Sequence, residues 1–168
     1  METKFVDSTQ IDTELLQKIF IAVQQSGSKK PGGYFSFYSE KSGVISLEKV
    51  GIPDPEKEEK YKTFALEKAQ RILSNHQHRS MMSRNPDLQQ WGGGTRYKNV
   101  ISAFSGFTEY EDEAFSLLYN VVHELKSLGL ENSKLKEVIA SRIEGLYVNH
   151  YKDNDSIIDI TSNFVINF

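Results

Sequence analysis

Apolar residues recur at helical spacing in several separated stretches of the chain, with short alternating or continuously apolar runs between them. Leu15, Leu16, Ile19, Phe20 and Val23 follow Asp12 and Thr13, either able to cap, and predict an amphipathic helix. It stops at Ser26-Gly27-Ser28, and the run on to Pro31-Gly32-Gly33 is a flexible connection. Tyr34-Phe35-Ser36-Phe37-Tyr38 and Val44-Ile45-Ser46-Leu47, separated by Ser39-Glu40-Lys41-Ser42-Gly43, predict a β-hairpin. Its first strand puts Tyr34, Ser36 and Tyr38 on one face and Phe35 and Phe37 on the other, as expected of a central strand covered on both sides.

Beyond Ile52, Pro53-Asp54-Pro55-Glu56 places proline and acids where a helix N-terminus favours them, and Tyr61, Phe64, Ala65, Lys68, Ala69 and Ile72 mark one side of a long helix. Residues 75–91 are polar and aperiodic, a loop or an irregular excursion over the domain. Trp91-Gly92-Gly93-Gly94 then leads into two short strands with a turn near Lys98-Asn99, the second ending at Gly106. Thr108-Glu109-Tyr110-Glu111 forms a capping box for a helix with a broad apolar face (Ala114, Leu117, Leu118, Val121, Val122, Leu125) that Gly129 closes. A fourth helix starts near Ser133. Residues 157–168 are β-prone and predict an edge strand or a docked tail.

The chain has 168 residues, 38% of them hydrophobic and 26% charged, and reads as one globular α+β domain. A net charge of -3 with no basic face gives no footprint for nucleic acid. The absence of cysteine excludes disulfides, thiolate nucleophiles and Cys-ligated metals. No apolar run approaches a membrane span, and residues 1–9 lack the pattern of a signal peptide, so the expected location is cytoplasmic.

Three segments carry a resemblance: Ala65-Leu66-Glu67-Lys68-Ala69, Gly92-Gly93-Gly94, and Phe104-Ser105-Gly106 followed by Glu111-Asp112-Glu113-Ala114. In this order they resemble the GlcG/HbpS-like family, small profilin-like domains that include haem-binding proteins. The resemblance covers residues 10–125. The remainder, 130–168, is a C-terminal helix plus β-prone extension without a counterpart. It implies a profilin-like antiparallel sheet of about five strands with helices on its faces, and a ligand pocket between helix and sheet. The implied activity is non-catalytic binding of a small ligand, with haem or another tetrapyrrole as the candidate cofactor.

A haem site needs an apolar slot, a donor to iron and cations for the propionates. His76, His78, Arg79 and Arg84 supply donors and cations in one stretch, although His and Arg beside a helix C-terminus also suit the dipole there. Gly92-Gly93-Gly94, with Arg96 just after, has the composition of an anion-binding nest, or of a structural turn; Gly93, Gly94 and Arg96 join the candidate site on that ground. Glu109, Glu111, Asp112 and Glu113 form an acidic cluster that the start of a helix also explains. His123 is expected to be structural and His150 exposed. No metal site is indicated by spacing. Ser105-Gly106 fails as a nucleophile elbow, with Ala103 and Phe107 where glycines are required, and no catalytic residue is assigned. Two function classes follow: a small-ligand-binding protein, expected to be a homo-oligomer, or an interaction module that uses its sheet edges and C-terminal segment.

Overall fold

Asp12 is the residue that starts the first helix: its carboxylate accepts from the Leu15 N–H at 3.0 Å, opening α1 (Thr13–Gln25). The computed structural model describes residues 10–168; the segment 1–9, read above for leader signals, lies outside them. The predicted hairpin is β1 (Gly32–Ser39) and β2 (Ile45–Gly51), and the strands after the glycine run are β3 (Gly94–Tyr97) and β4 (Val100–Ser105). They form one antiparallel sheet in the order β2-β1-β4-β3. β1 is central, and its two faces sort as the alternation requires. Ser36 Oγ donates to the Ala65 carbonyl at 2.7 Å on one side, and Phe35 and Phe37 meet the Tyr119 ring on the other.

α2 (Glu58–Asn75) covers the first face, closing a small core of Ala69, Ile72, Ile101 and Ala103. α3 (Glu109–Ser127) covers the second, beginning at the predicted capping box of Thr108 and Glu111. Its centre is buried all round, because α1, α4 (Asn132–His150) and α5 (Ser156–Ile166) close over it as an outer layer. His123 stacks on Tyr119 in this core, as expected of a structural histidine.

The described residues hold four strands. One expectation is corrected. Of the two readings of residues 157–168, the docked tail agrees with the structure and the edge strand does not: residues 157–166 are helical, because Ile157, Ile160, Thr161 and Phe164 fall at i, i+3, i+4 and i+7 and all face the α1–α3 core. Packing of that stripe overrides the strand preference of its isoleucines. The C-terminal extension is therefore part of the main core rather than an arm free to cover another chain. Among the described residues, no helix is long and apolar enough to cross a membrane.

Candidate functional site

The three segments singled out by resemblance meet at one point. α2 presents Lys68 and the first turn of α3 presents Asp112, 44 residues apart in sequence; their Nζ and Oδ2 atoms lie 3.2 Å apart. Both side chains are buried, at 2% and 4% exposure, which marks the pair as deliberate, since lone charges are seldom held so deep. Lys68 Nζ also donates to the Phe104 carbonyl at 2.7 Å, and Asp112 Oδ1 accepts from the Phe107 N–H at 2.9 Å. Burial pushes the Asp112 carboxyl up to about 6, against the lowering effects of Lys68 and the Phe107 N–H. Gly93 closes the pair from the third side at φ +122°. A Cβ there would stand 2.6 Å from Asp112 Cβ and 2.8 Å from Lys68 Nζ.

Above this pair opens a cleft of about 760 Å³ between α2, the 89–91 segment and the turn from β4 into α3. Its walls are aromatic: Phe64 meets Trp91 edge to face with centroids 6.4 Å apart, Tyr61 stands nearby, and Phe107 lines the opposite side. Lys68 and Asp112 form its floor. Volume, apolar walls and a few convergent polar groups are the attributes of a small-molecule site.

The loop that builds one wall is tied down rather than free. Arg71 in α2 pairs with Glu67 and donates to the Trp91 carbonyl and, at 3.0 Å, to that of Ser80. Glu109 accepts from the Gly92 N–H at 2.7 Å and from Arg84 Nε at 2.7 Å. Burial acts to raise the Glu109 carboxyl, but Arg84 and the Gly92 N–H hold it below its ordinary value. Two 3-10 turns, at Ser80–Ser83 and Pro86–Leu88, shape the rest of the loop.

The residues proposed from sequence separate into three places. His76 occupies the left-handed C-cap of α2 at φ 52°, exposed, with its N–H on the Ile72 carbonyl. Gly93 and Gly94 form no anion nest: the Gly93 site is filled by the Lys68–Asp112 pair, and the Gly94 N–H donates to Ser80 Oγ at 2.8 Å. Arg84 braces the rim of the aromatic cleft through Glu109, its guanidinium 5.4 Å from the Trp91 ring centre.

The third place gathers His78, Arg79 and Arg96 on a second cleft of about 520 Å³, beside His150, Leu117 and Leu146. There Arg79 is already committed. It bridges buried Glu113 (2.6 and 2.9 Å) and Asp153 (2.9 and 3.0 Å), and burial pushes the Glu113 carboxyl up while Arg79 and Asn154 counter it. Arg96 is less occupied: it lies 3.9 Å from Glu40, and among the described residues its buried Nε has no hydrogen-bond partner. Among the described residues, no group of three or more His, Cys, Asp or Glu is placed to hold a metal ion.

Sequence reasoning missed the pairing of Lys68 with Asp112, treating one as a helix-side residue and the other as a dipole-compensating acid. The available signal was a lysine on the apolar face of α2 among Ala65, Ala69 and Ile72, a place that demands a buried partner. Comparison with protein-family models, curated proteins and solved structures finds no match to this chain.

Proposed function

We propose that the protein is a non-catalytic small-ligand-binding protein whose site is the aromatic cleft between α2 and the start of α3. The observation that carries this reading is the cleft's construction: aromatic walls over a buried Lys68–Asp112 pair, in a volume suited to one small molecule. The floor groups bond one another and neighbouring backbone atoms, an arrangement that holds a shape rather than activating a nucleophile. The resemblance of the converging segments to GlcG/HbpS-like domains, and a profilin-like reading of the fold, agree with binding as the activity. Trp91 is the single tryptophan of the chain and lines the cleft, so its emission reports occupancy directly. Titration with a panel of small aromatic compounds should give saturable changes in Trp91 emission that Phe64→Ala weakens at least tenfold. A panel without any saturable change removes the cleft from consideration.

A second reading places haem or another tetrapyrrole in the other cleft. It is favoured by His78 and His150, two nitrogen donors beside the apolar walls of Leu117 and Leu146, with Arg96 Nε, unpartnered among the described residues, beside them for a propionate. The residues present fit the group in kind, with Arg79 orienting the loop rather than receiving the ligand. A hemin titration followed at the Soret band should then saturate at one per chain and be lost in His78→Ala or His150→Ala. Non-stoichiometric binding unchanged by both substitutions leaves the aromatic cleft as the sole site.

A further inference from the structure

The floor of the aromatic cleft has an unused donor. An ammonium group carries three N–H bonds. Among the described residues, Lys68 Nζ donates to two acceptors, the Phe104 carbonyl and Asp112 Oδ2, while the side chain borders the cleft. A donor of this kind in a low-dielectric setting is costly to leave empty and strong when filled, above all by an anion. Around it the cleft offers flat apolar surface, with Phe64 and Trp91 on one wall and Phe107 on the other, itself stacked on Phe104 at 4.9 Å and 12°.

From this geometry, and resting on the cleft being the ligand site, we infer that its ligand class is a flat aromatic carboxylic acid whose carboxylate is received by Lys68, and that Asp112 takes up a proton as the acid binds. The charge balance leads to the second half. Lys68 and Asp112 together are neutral when both are ionised, so a carboxylate added beside them buries one net negative charge. Protonating Asp112 removes that excess and leaves Lys68 paired with the ligand instead.

The charged groups around Asp112 agree. α2 contributes Lys68, and α3 itself contributes Glu111, whose charge favours a protonated Asp112. β4 and the turn after it contribute the Phe104 carbonyl and the Phe107 N–H, and the glycine run brings Gly93, with no side chain. At the rim, Glu109 is held by Arg84 and Glu59 by Lys62, so the acids nearest the mouth are already countered. Lys60 stands over the Phe64 ring at 5.7 Å, adding a cation at the entrance. Because burial already sets the Asp112 carboxyl at about 6, proton uptake near neutrality is a small step.

The test is isothermal titration calorimetry of the full chain with 2-naphthoate and its neutral isostere 2-naphthamide. Each is run from pH 5.5 to 8 in two buffers of different ionisation enthalpy, so that bound protons are counted. Naphthoate should bind at least tenfold more tightly than the amide at pH 6 and take up close to one proton per ligand at pH 7.5. Its affinity should fall by up to tenfold per pH unit above pH 7. Asp112→Asn, fixed in the neutral form, should flatten that pH profile, and Lys68→Met should remove the preference for acid over amide. Equal binding of the two probes, or naphthoate binding without proton uptake, overturns the inference while leaving the cleft as a ligand site. Failure of both probes to bind at millimolar concentration overturns the inference and the cleft reading together. The acid-to-amide ratio and the proton count come from the unaltered chain, so variants that fail to fold do not decide the outcome.

Discussion

A single glycine shows how closely the floor of the cleft is specified. Gly93 combines a positive φ with neighbours at 2.6 and 2.8 Å from any added Cβ, and those neighbours are the ion pair itself. Gly93→Ala should therefore destabilise the fold by about 2–4 kcal/mol in urea titration, through backbone strain and a displaced Lys68–Asp112 contact. Gly145, mid-helix in α4 with open space around it, is the control: Gly145→Ala should stabilise by about 0.5–1 kcal/mol. Equal effects at the two positions would mean that the floor is not tightly specified. Asp112 carries a pH prediction of its own. Its folded value of about 6 lies above the ordinary 3.8, so the folded chain holds the proton more tightly than the unfolded one. Its contribution is thus fully present below about pH 4 and is lost as pH rises through 6, opposite in sign to an ordinary salt-bridged carboxylate. Carbon-13 NMR of the Asp112 carboxyl should show a midpoint near 6; a midpoint below 4 would mean that Lys68 outweighs burial.

At the level of elements, what the chain disclosed in advance was whatever a local period can encode. The alternation in β1 placed Phe35 and Phe37 opposite Ser36, the Thr108 capping box placed the start of α3, and glycine punctuation placed the turns, all as found. The α5 segment was misread because isoleucines at 157, 158 and 160 satisfy a period of two as well as one of 3.6. Only the docking of Ile157, Ile160 and Phe164 on α1 and α3 decides between them. The aperiodic stretch before Trp91 was illegible for another reason: its order comes from side chains reaching across, not from a repeat. Arg71 is the main tie, to Ser80 and Trp91. Arg71→Met should accordingly raise hydrogen exchange across residues 77–92 at least tenfold and shift Trp91 emission to the red, while the amides of β1 and β4 stay protected. Unchanged exchange in the loop would show that Arg84 and Glu109 hold it alone.

Across the whole molecule, the site was half legible for the same reason. Its segments could be picked out one at a time, but the contact that unites them spans 44 residues and depends on α2 and α3 lying on opposite faces of the sheet. That placement in turn depends on the C-terminal helices, the part of the chain without a counterpart in the resemblance. Leu135, Ile139, Ile143, Tyr151, Ile157, Ile160 and Phe164 belong to the same core as α1 and α3. At about 1.5–3 kcal/mol for each large apolar side chain, their burial contributes roughly 10–20 kcal/mol, which equals or exceeds the net stability of an ordinary domain. Polar anchoring runs the same way: buried Glu113 in α3 accepts from Asn154 Nδ2 at 3.0 Å, and Arg79 ties Glu113 to Asp153. A chain ending at Gly129 should therefore lose its cooperative thermal transition and its dispersed amide NMR spectrum, and should bind no ligand in the aromatic cleft although every cleft residue remains. The full chain should melt in a single step. If the shortened chain instead melts cooperatively and keeps its Trp91 response, the sheet with α1, α2 and α3 is a self-sufficient unit, and the outer helices serve something other than the fold.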